Sequence, residues 1–245
     1  MPKPTEHKTV QDRILTYAQE IGWRFVPRKE AEAKRGFNTP LPPSLGKQKG
    51  VEIQQKAQQG SLYFDDTLYQ KVKEFNPHYN ETKGDLIKRL NNLSLDIYGN
   101  RDFLNLLQNQ GKYFYQAENR ELDLILVDYD RPENNIYEVT EEYYIHNGKY
   151  GTREDVVFLI NGIPVLVIEC KNANKNEAIA LGIDQIRRYH RETPELFIPQ
   201  MLFTATEAIG FAYGVTWNIV RRNIFNWKDE EIGQLENKVK TFCHP

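Results

Sequence analysis

The densest chemistry in this chain lies between Arg153 and Lys171, in the run Arg-Glu-Asp-Val-Val-Phe-Leu-Ile-Asn-Gly-Ile-Pro-Val-Leu-Val-Ile-Glu-Cys-Lys. Asp155 and Glu169, joined by the backbone carbonyl of Cys170, offer the hard oxygens that Mg²⁺ favours, and Mn²⁺ would accept the same set. Such an ion keeps several waters, so a phosphate and an attacking water could share it. Lys171 is the residue type that would help deprotonate or orient that water and offset charge growing on phosphorus. The plainer alternative is an exposed Glu–Lys pair at the end of a strand.

Positioning these groups requires a hairpin. Residues 156–160 and 163–168 are apolar on both faces, as in strands covered by helices on each side. Asn161-Gly162 between them tolerates the positive φ of a tight reversal. Strand alternation places Glu169 and Lys171 on one face. A regular two-residue loop sets Glu154 opposite Glu169 and sends Asp155 to the other face. A three-residue loop or a single bulge pairs Asp155 with Glu169 instead, so the chemistry demands the irregular register.

Composition narrows the setting. The 245 residues fit one large domain, or one domain with an appendage, and 40% hydrophobic with 12% aromatic residues can build a substantial core. A net charge of −2 gives no global pull on nucleic acid, so contacts with it would need local basic patches. Two cysteines make no disulfide framework and suit a reducing cytoplasm, and the five histidines show no paired zinc-ligand spacing. No apolar run long enough to span a bilayer and no signal peptide are present, so no membrane association is expected.

Along the chain, the spacing of Val10, Ile14, Leu15, Ala18 and Ile21 predicts an amphipathic helix over 8–22. Residues 28–35 read as a short charged, solvated helix, and the proline-rich stretch 36–50 as an exposed loop. Helices are expected near 52–58, 64–75, 82–97 and 102–108, then strands at 113–118, 122–128 and 136–146. Glu138, Glu141 and Glu142 on the last of these fit an edge strand kept soluble by acids. After the hairpin come a helix at about 176–191, strands near 200–205 and 211–216, and a final helix from Asp229. In the helix after Lys171, Gln185 and Tyr189 are four apart and share a face. They could fix the backbone beside the carboxylates or a nucleic-acid backbone while Arg187, Arg188 and Arg191 meet phosphates. An ordinary amphipathic helix with its arginines in solvent accounts for the same spacing.

Asp followed by Glu-x-Lys one hairpin later resembles the signature of the PD-(D/E)xK nucleases. With residues 151–172, Asp184-Gln-Ile-Arg-Arg-Tyr189 and Leu202-Phe-Thr-Ala-Thr206, the sequence is similar over essentially its whole length to the N-terminal nuclease region of the restriction (motor, R) subunit of type I restriction–modification enzymes. The resemblance implies Asp155, Glu169 and Lys171 as the catalytic set and Gln185 and Tyr189 as an accessory motif. It implies an α/β fold with a restriction-endonuclease-like core, a central mixed β-sheet flanked by helices, and a mainly helical N-terminal part. The implied division is residues 1–110 helical, 111–228 nuclease core and 229–245 the start of a connection to an ATP-dependent translocase. Implied partners are double-stranded DNA and the methyltransferase and specificity subunits, with ATP used by the full-length subunit only. Many members of the superfamily carry Glu on the first helix; Gln11 stands at that place here and adds no charge to a second metal site. Two rival readings are a stand-alone repair nuclease of this fold and a non-catalytic module that docks a motor onto the methyltransferase core.

Overall fold

The computed structural model describes residues 10–37, 60–172, 177–207, 209–228 and 234–245. In chain order these form α1 (Asp12–Glu20), β1 (Arg24–Val26), α2 (Arg28–Lys34), α3 (Asp65–Phe75), α4 (Lys83–Asn91), α5 (Ile97–Leu107), β2 (Gly111–Tyr115), β3 (Arg120–Leu124), β4 (Tyr137–His146), β5 (Gly151–Ile160), β6 (Ile163–Cys170), α6 (Ala178–Glu192), β7 (Leu202–Thr206), β8 (Phe211–Val215), β9 (Ile224–Asn226) and α7 (Leu235–Phe242). A seven-stranded mixed sheet runs β1-β4-β5-β6-β7-β8-β9, while β2 and β3 make a separate antiparallel hairpin. The β1–β4 and β6–β7 pairs are parallel, and α6 is the crossover joining β6 to β7. This is an α/β architecture with a restriction-endonuclease-like central sheet.

Both faces of the sheet are covered, which is why its middle strands read as continuous apolar runs. On one side Val10, Ile14 and Ala18 from the α1 region and Leu235 and Val239 of α7 pack with Val156, Phe158, Ile168 and Cys170. On the other, Ile186 and Tyr189 of α6 and Ala31 of α2 pack with Val157, Leu159, Val167 and Phe203. A third cluster joins α3, α4 and α5 to the β2–β3 hairpin, through residues such as Val72, Leu90, Phe103 and Tyr113.

Several sequence expectations are corrected here. The strand bearing Glu138 is not an edge, because Arg24–Val26 pairs with it in parallel; Glu138 is wholly buried and holds Lys34 at 2.7 Å as well as Arg24. A three-residue strand has too little alternation to declare itself in sequence. Nor is α2 solvated: Ala31 and Glu32 face the core, with Arg28 bonded to Glu32 at 2.7 Å. The helix expected over 82–97 breaks, because Asp96 caps a new helix by accepting from the N–H groups of Tyr98 and Gly99. That cap also starts α5 earlier than the predicted 102. The helix expected at 52–58 and most of the proline-rich loop lie outside the described residues.

Asn161 does more than permit a turn. It adopts φ 51° at the β5–β6 reversal and is wholly buried. Its side chain accepts from Ile136 N (2.8 Å) and donates to Leu126 O (2.9 Å) and to Asn135 Oδ1 (2.8 Å). Gly162, at φ +80°, has no room for a Cβ, which would lie 2.7 Å from Phe64 O; its own carbonyl accepts from Phe64 N. The hairpin tip is thus fastened to the N-terminus of α3 and to the 126–136 segment. Asn161→Ala should destabilise the protein by about 2–4 kcal/mol, since it strands buried polar partners and strains a left-handed position. Removing the exposed cap of α4 by Thr82→Ala should cost about 1 kcal/mol. Urea unfolding of the two variants checks the ranking.

Candidate active site

The β5–β6 hairpin closes with Ile160 opposite Ile163 and Leu159 opposite Pro164, then shifts so that Phe158 faces Leu166 and Val156 faces Ile168. Val165 is the extra residue. Continuing the shifted register brings Asp155 opposite Glu169. Pro164 is the sequence signal for the irregularity, since proline lacks a ladder N–H and is confined within sheets to edges and bulges. Beyond Val156–Ile168, the Asp155 carboxylate takes over from the ladder and accepts the Cys170 N–H at 2.8 Å. Lys171 N donates to Thr206 O at 2.8 Å, so β6 stays with β7 while it parts from β5. The fork opens at the two carboxylates.

Glu169 is fully buried and Lys171 only 6% exposed, which removes the reading of a solvent-exposed Glu–Lys pair. Lys171 Nζ donates to the Cys170 carbonyl at 3.0 Å and to the Glu169 carboxylate. Burial raises the Glu169 pKa well above the usual carboxylate range; the Asp155 charge adds to this and Lys171 opposes it. Asp155 is also raised, first by burial, against the pull of Lys171 and the Cys170 N–H. The shifted register and the Asp155–Cys170 bond bring the two carboxyl groups to the same opening between the strands. Glu169 Oε2 has no N–H or O–H donor among the described residues. Neighbouring carboxyl groups with raised pKa values call for a proton or a cation beside them, and the Lys171 ammonium already rests on Glu169 and on the Cys170 carbonyl. The donor set therefore fits a hard divalent cation. Among the described residues no group of three or more His, Cys, Asp or Glu side chains could hold a metal; the Cys170 carbonyl, water and phosphate could supply further oxygens.

Helix α6 lies against this fork. At Gly182 a Cβ would stand 3.1 Å from Ala205 Cβ, 3.6 Å from Lys171 and 3.8 Å from Glu169, so the small residue sets how closely the helix approaches. Further along, the Gln185 amide donates to the Tyr189 hydroxyl, which itself donates to the Arg153 carbonyl at 2.9 Å. The pair grips the backbone two residues before Asp155. Arg187 is committed to the Ile219 carbonyl (2.9–3.0 Å) and to Asp184 (2.8 Å). Arg188 lies over the Tyr189 ring, 3.6 Å from Glu192, and Arg191 is exposed. Gln11 is 3% exposed, its Oε1 has no partner among the described residues, and its neighbours Val10 and Ile14 pack in the layer that contains Cys170.

Sequence reasoning passed over Glu154, which is fully buried, accepts from Thr152 Oγ1 at 2.8 Å, and has its pKa pushed up to about 8 by burial. It stands between Arg153 and Asp155 in the polar half of its strand, so nothing in the local pattern marks it as buried. A cavity of about 650 Å³ lined by Arg35, Tyr63, Asp65, Leu90, His146 and Ile198 lies away from the carboxylates. Size alone is a poor guide to chemistry here, because a phosphodiester site needs an open approach and not an enclosed volume.

The Glu154 shift has a testable sign. Its folded pKa, about 8, exceeds the ordinary value of 4.5, so the folded state binds the extra proton between those two pH values. Stability from this group is therefore lost as pH rises from 4.5 through 8. Glu154→Gln, which mimics the neutral acid, should match the parent near pH 5 and melt at a higher temperature than the parent at pH 9. Thermal melts across that range would overturn the assignment if the difference were flat with pH.

The family described as "Type I restriction enzyme R protein N terminus" matches residues 3–218. The chain is 24% identical over 207 residues to the type I restriction enzyme HindI endonuclease subunit of Haemophilus influenzae, covering 82% of this chain and 18% of that protein. It is 30% identical over 142 residues to a protein of Methanocaldococcus jannaschii assigned as the type I restriction enzyme MjaVIIIP endonuclease subunit, covering 53% and 13% respectively. A second M. jannaschii protein, assigned as the MjaVIIP endonuclease subunit, is 38% identical over 72 residues, or 29% and 7% of the two chains. The chain spans less than a fifth of the length of each of these relatives. With its match extending across most of its length, the chain belongs to the family of type I restriction enzyme R protein N termini.

Proposed function

We propose that this chain is the Mg²⁺-dependent endonuclease part of a type I restriction enzyme R subunit, hydrolysing phosphodiester bonds of double-stranded DNA. The observation that carries this reading is the shifted hairpin register, which sets Asp155 opposite the buried Glu169 at the strand fork, with Lys171 bonded to Glu169 and to the Cys170 carbonyl. The naming of the relatives as endonuclease subunits supports it. In the complete enzyme, translocation by an ATP-driven motor and pairing with methyltransferase and specificity subunits would deliver the DNA. No helix among the described residues is long and apolar enough to cross a membrane.

Each side chain has a role that follows from its position. Asp155, Glu169 and the Cys170 carbonyl would hold Mg²⁺, or Mn²⁺ in its place. A bound divalent ion supplies positive charge at the phosphate and a more acidic water. Lys171 presents its ammonium beside those oxygens, where it can orient the attacking water and neutralise charge on the non-bridging phosphate oxygens. Tyr189 and Gln185 keep the Arg153 carbonyl, and so Asp155, in place. Arg191 is the exposed α6 arginine able to meet a neighbouring phosphate without first breaking an internal bond.

Mn²⁺ titration of the chain by calorimetry should give binding that strengthens as pH rises, because protons compete for carboxyl groups whose pKa values are raised. Glu169→Ala and Asp155→Ala should lose that binding, and the complete enzyme carrying either change should hydrolyse ATP without cutting DNA. Normal DNA cleavage by the Glu169→Ala enzyme would sink the reading. Tyr189→Phe removes two positioned hydrogen bonds, from Gln185 and to the Arg153 carbonyl, and no ligand. It should lower cleavage by roughly ten- to a hundredfold, the scale of a displacement near 1 Å, while Mn²⁺ affinity stays near that of the parent.

A further inference from the structure

We infer that Glu154 is a positioning residue: with Thr152 and Thr193 it forms a buried latch that fastens the C-terminal end of α6 to β5, the strand that presents Asp155. The relation of the latch to cleavage rests on the nuclease reading above; the latch itself does not.

The connection runs through atoms wholly shut off from solvent. Thr152 Oγ1 donates to Glu154 Oε1 at 2.8 Å, and the Thr152 and Thr193 hydroxyls are 2.7 Å apart. Thr193 N caps the helix by donating to the Tyr189 carbonyl at 2.7 Å. A chain of contacts thus leads from the carboxyl of Glu154 to the last turn of α6. The Thr193 hydroxyl also donates to the Tyr189 carbonyl at 3.3 Å, and either hydroxyl can be the donor in the Thr–Thr contact. On the opposite side of β5, Tyr143 is the register partner of Glu154, and the Arg35 guanidinium stacks on the Tyr143 ring at 3.8 Å.

Why this amounts to positioning follows from where the latch lies. The Tyr189 hydroxyl grips the carbonyl of Arg153, and the Thr193–Thr152–Glu154 chain grips the residues on either side of it. Two attachments four helix residues apart fix both the height and the rotation of α6 on the strand; one alone would leave it free to pivot. Glu154 is also bonded directly to Asp155, so its placement limits the backbone that aims the Asp155 carboxylate at Glu169. An apolar side chain would fill the same space without the cost of burying a carboxyl group. The polar choice is understandable if a directional contact, and not packing alone, is required.

Amide hydrogen exchange on the chain reads the latch without any reaction. Glu154→Ala and Thr193→Val should each raise exchange over residues 186–193 by about tenfold or more, the scale of one buried hydrogen bond. Glu154→Gln keeps an oxygen for Thr152 and should exchange like the parent. The double variant Glu154→Ala/Thr193→Val should be no worse than either single change, since each opens the same chain. In the complete enzyme the Ala and Val variants should lose kcat by about tenfold or more with KM unchanged, and Glu154→Gln should restore it. Parent-like exchange in both single variants would overturn the latch, as would loss of Mn²⁺ binding in Glu154→Gln, which would make Glu154 a ligand. Thr193→Val, close in volume to the parent residue, carries the test if Glu154→Ala does not fold. Altered exchange in an enzyme whose Asp155→Ala variant cuts DNA normally would leave the latch standing and fail the nuclease reading.

Discussion

The structure is organised around the difficulty of keeping two carboxyl groups together inside a protein. Taken from water, each favours its neutral form, and each raises the pKa of the other. Asp155 and Glu169 persist because the surroundings give them partners: a main-chain N–H for one, an ammonium for the other. Those partners exist only where β5 and β6 separate, so the bulge at Val165, the fork beyond Val156 and the closeness of α6 at Gly182 all follow from this one requirement. Such a site contributes little to stability on its own, and the three apolar clusters around it must offset its cost.

How much of this was written in the sequence varies with the range of the interaction. The hairpin and its irregular register could be reasoned from Asn161-Gly162 and from the need to bring Asp155 to Glu169, because both are local. The crossover helix and the strands after it were legible from periodicity, and their bounds moved by only a few residues. Glu138 was read as a solubilising acid because its partners, Arg24 and Lys34, are more than a hundred residues away. The burial of Glu154 was missed for the same reason: its environment is assembled from α6 and from Arg35, which no spacing on β5 reveals. The arginines of α6 looked equivalent in sequence, yet Arg187 is spent on the Ile219 carbonyl and Arg191 is free to face solvent.

Rigidity is concentrated at the hairpin. Its tip is bonded to α3 and to the 126–136 segment through Asn161 and Gly162, and its far end is bonded to α6 through Arg153, Thr152 and Glu154. The carboxyl pair lies toward the second of these anchored ends. A group that must hold reacting atoms to within a fraction of an ångström gains from being braced on both sides, since errors at the ends would otherwise be passed on to it.

The parallel pairing of β1 with β4 carries a consequence for how the chain acquires its shape. Arg24 meets Glu138 across 114 positions of sequence, whereas β4, β5 and β6 are joined by short reversals. Closing so long a loop is entropically slow compared with forming two hairpins. The central meander can therefore assemble while β1 is still absent, and during that interval β4 is the border of a growing sheet. Its three glutamates then discourage two such borders from zipping together between molecules. In the folded protein Glu138 is buried against Arg24 and Lys34, so an acid that reads as an edge residue becomes an anchor once the first strand pairs.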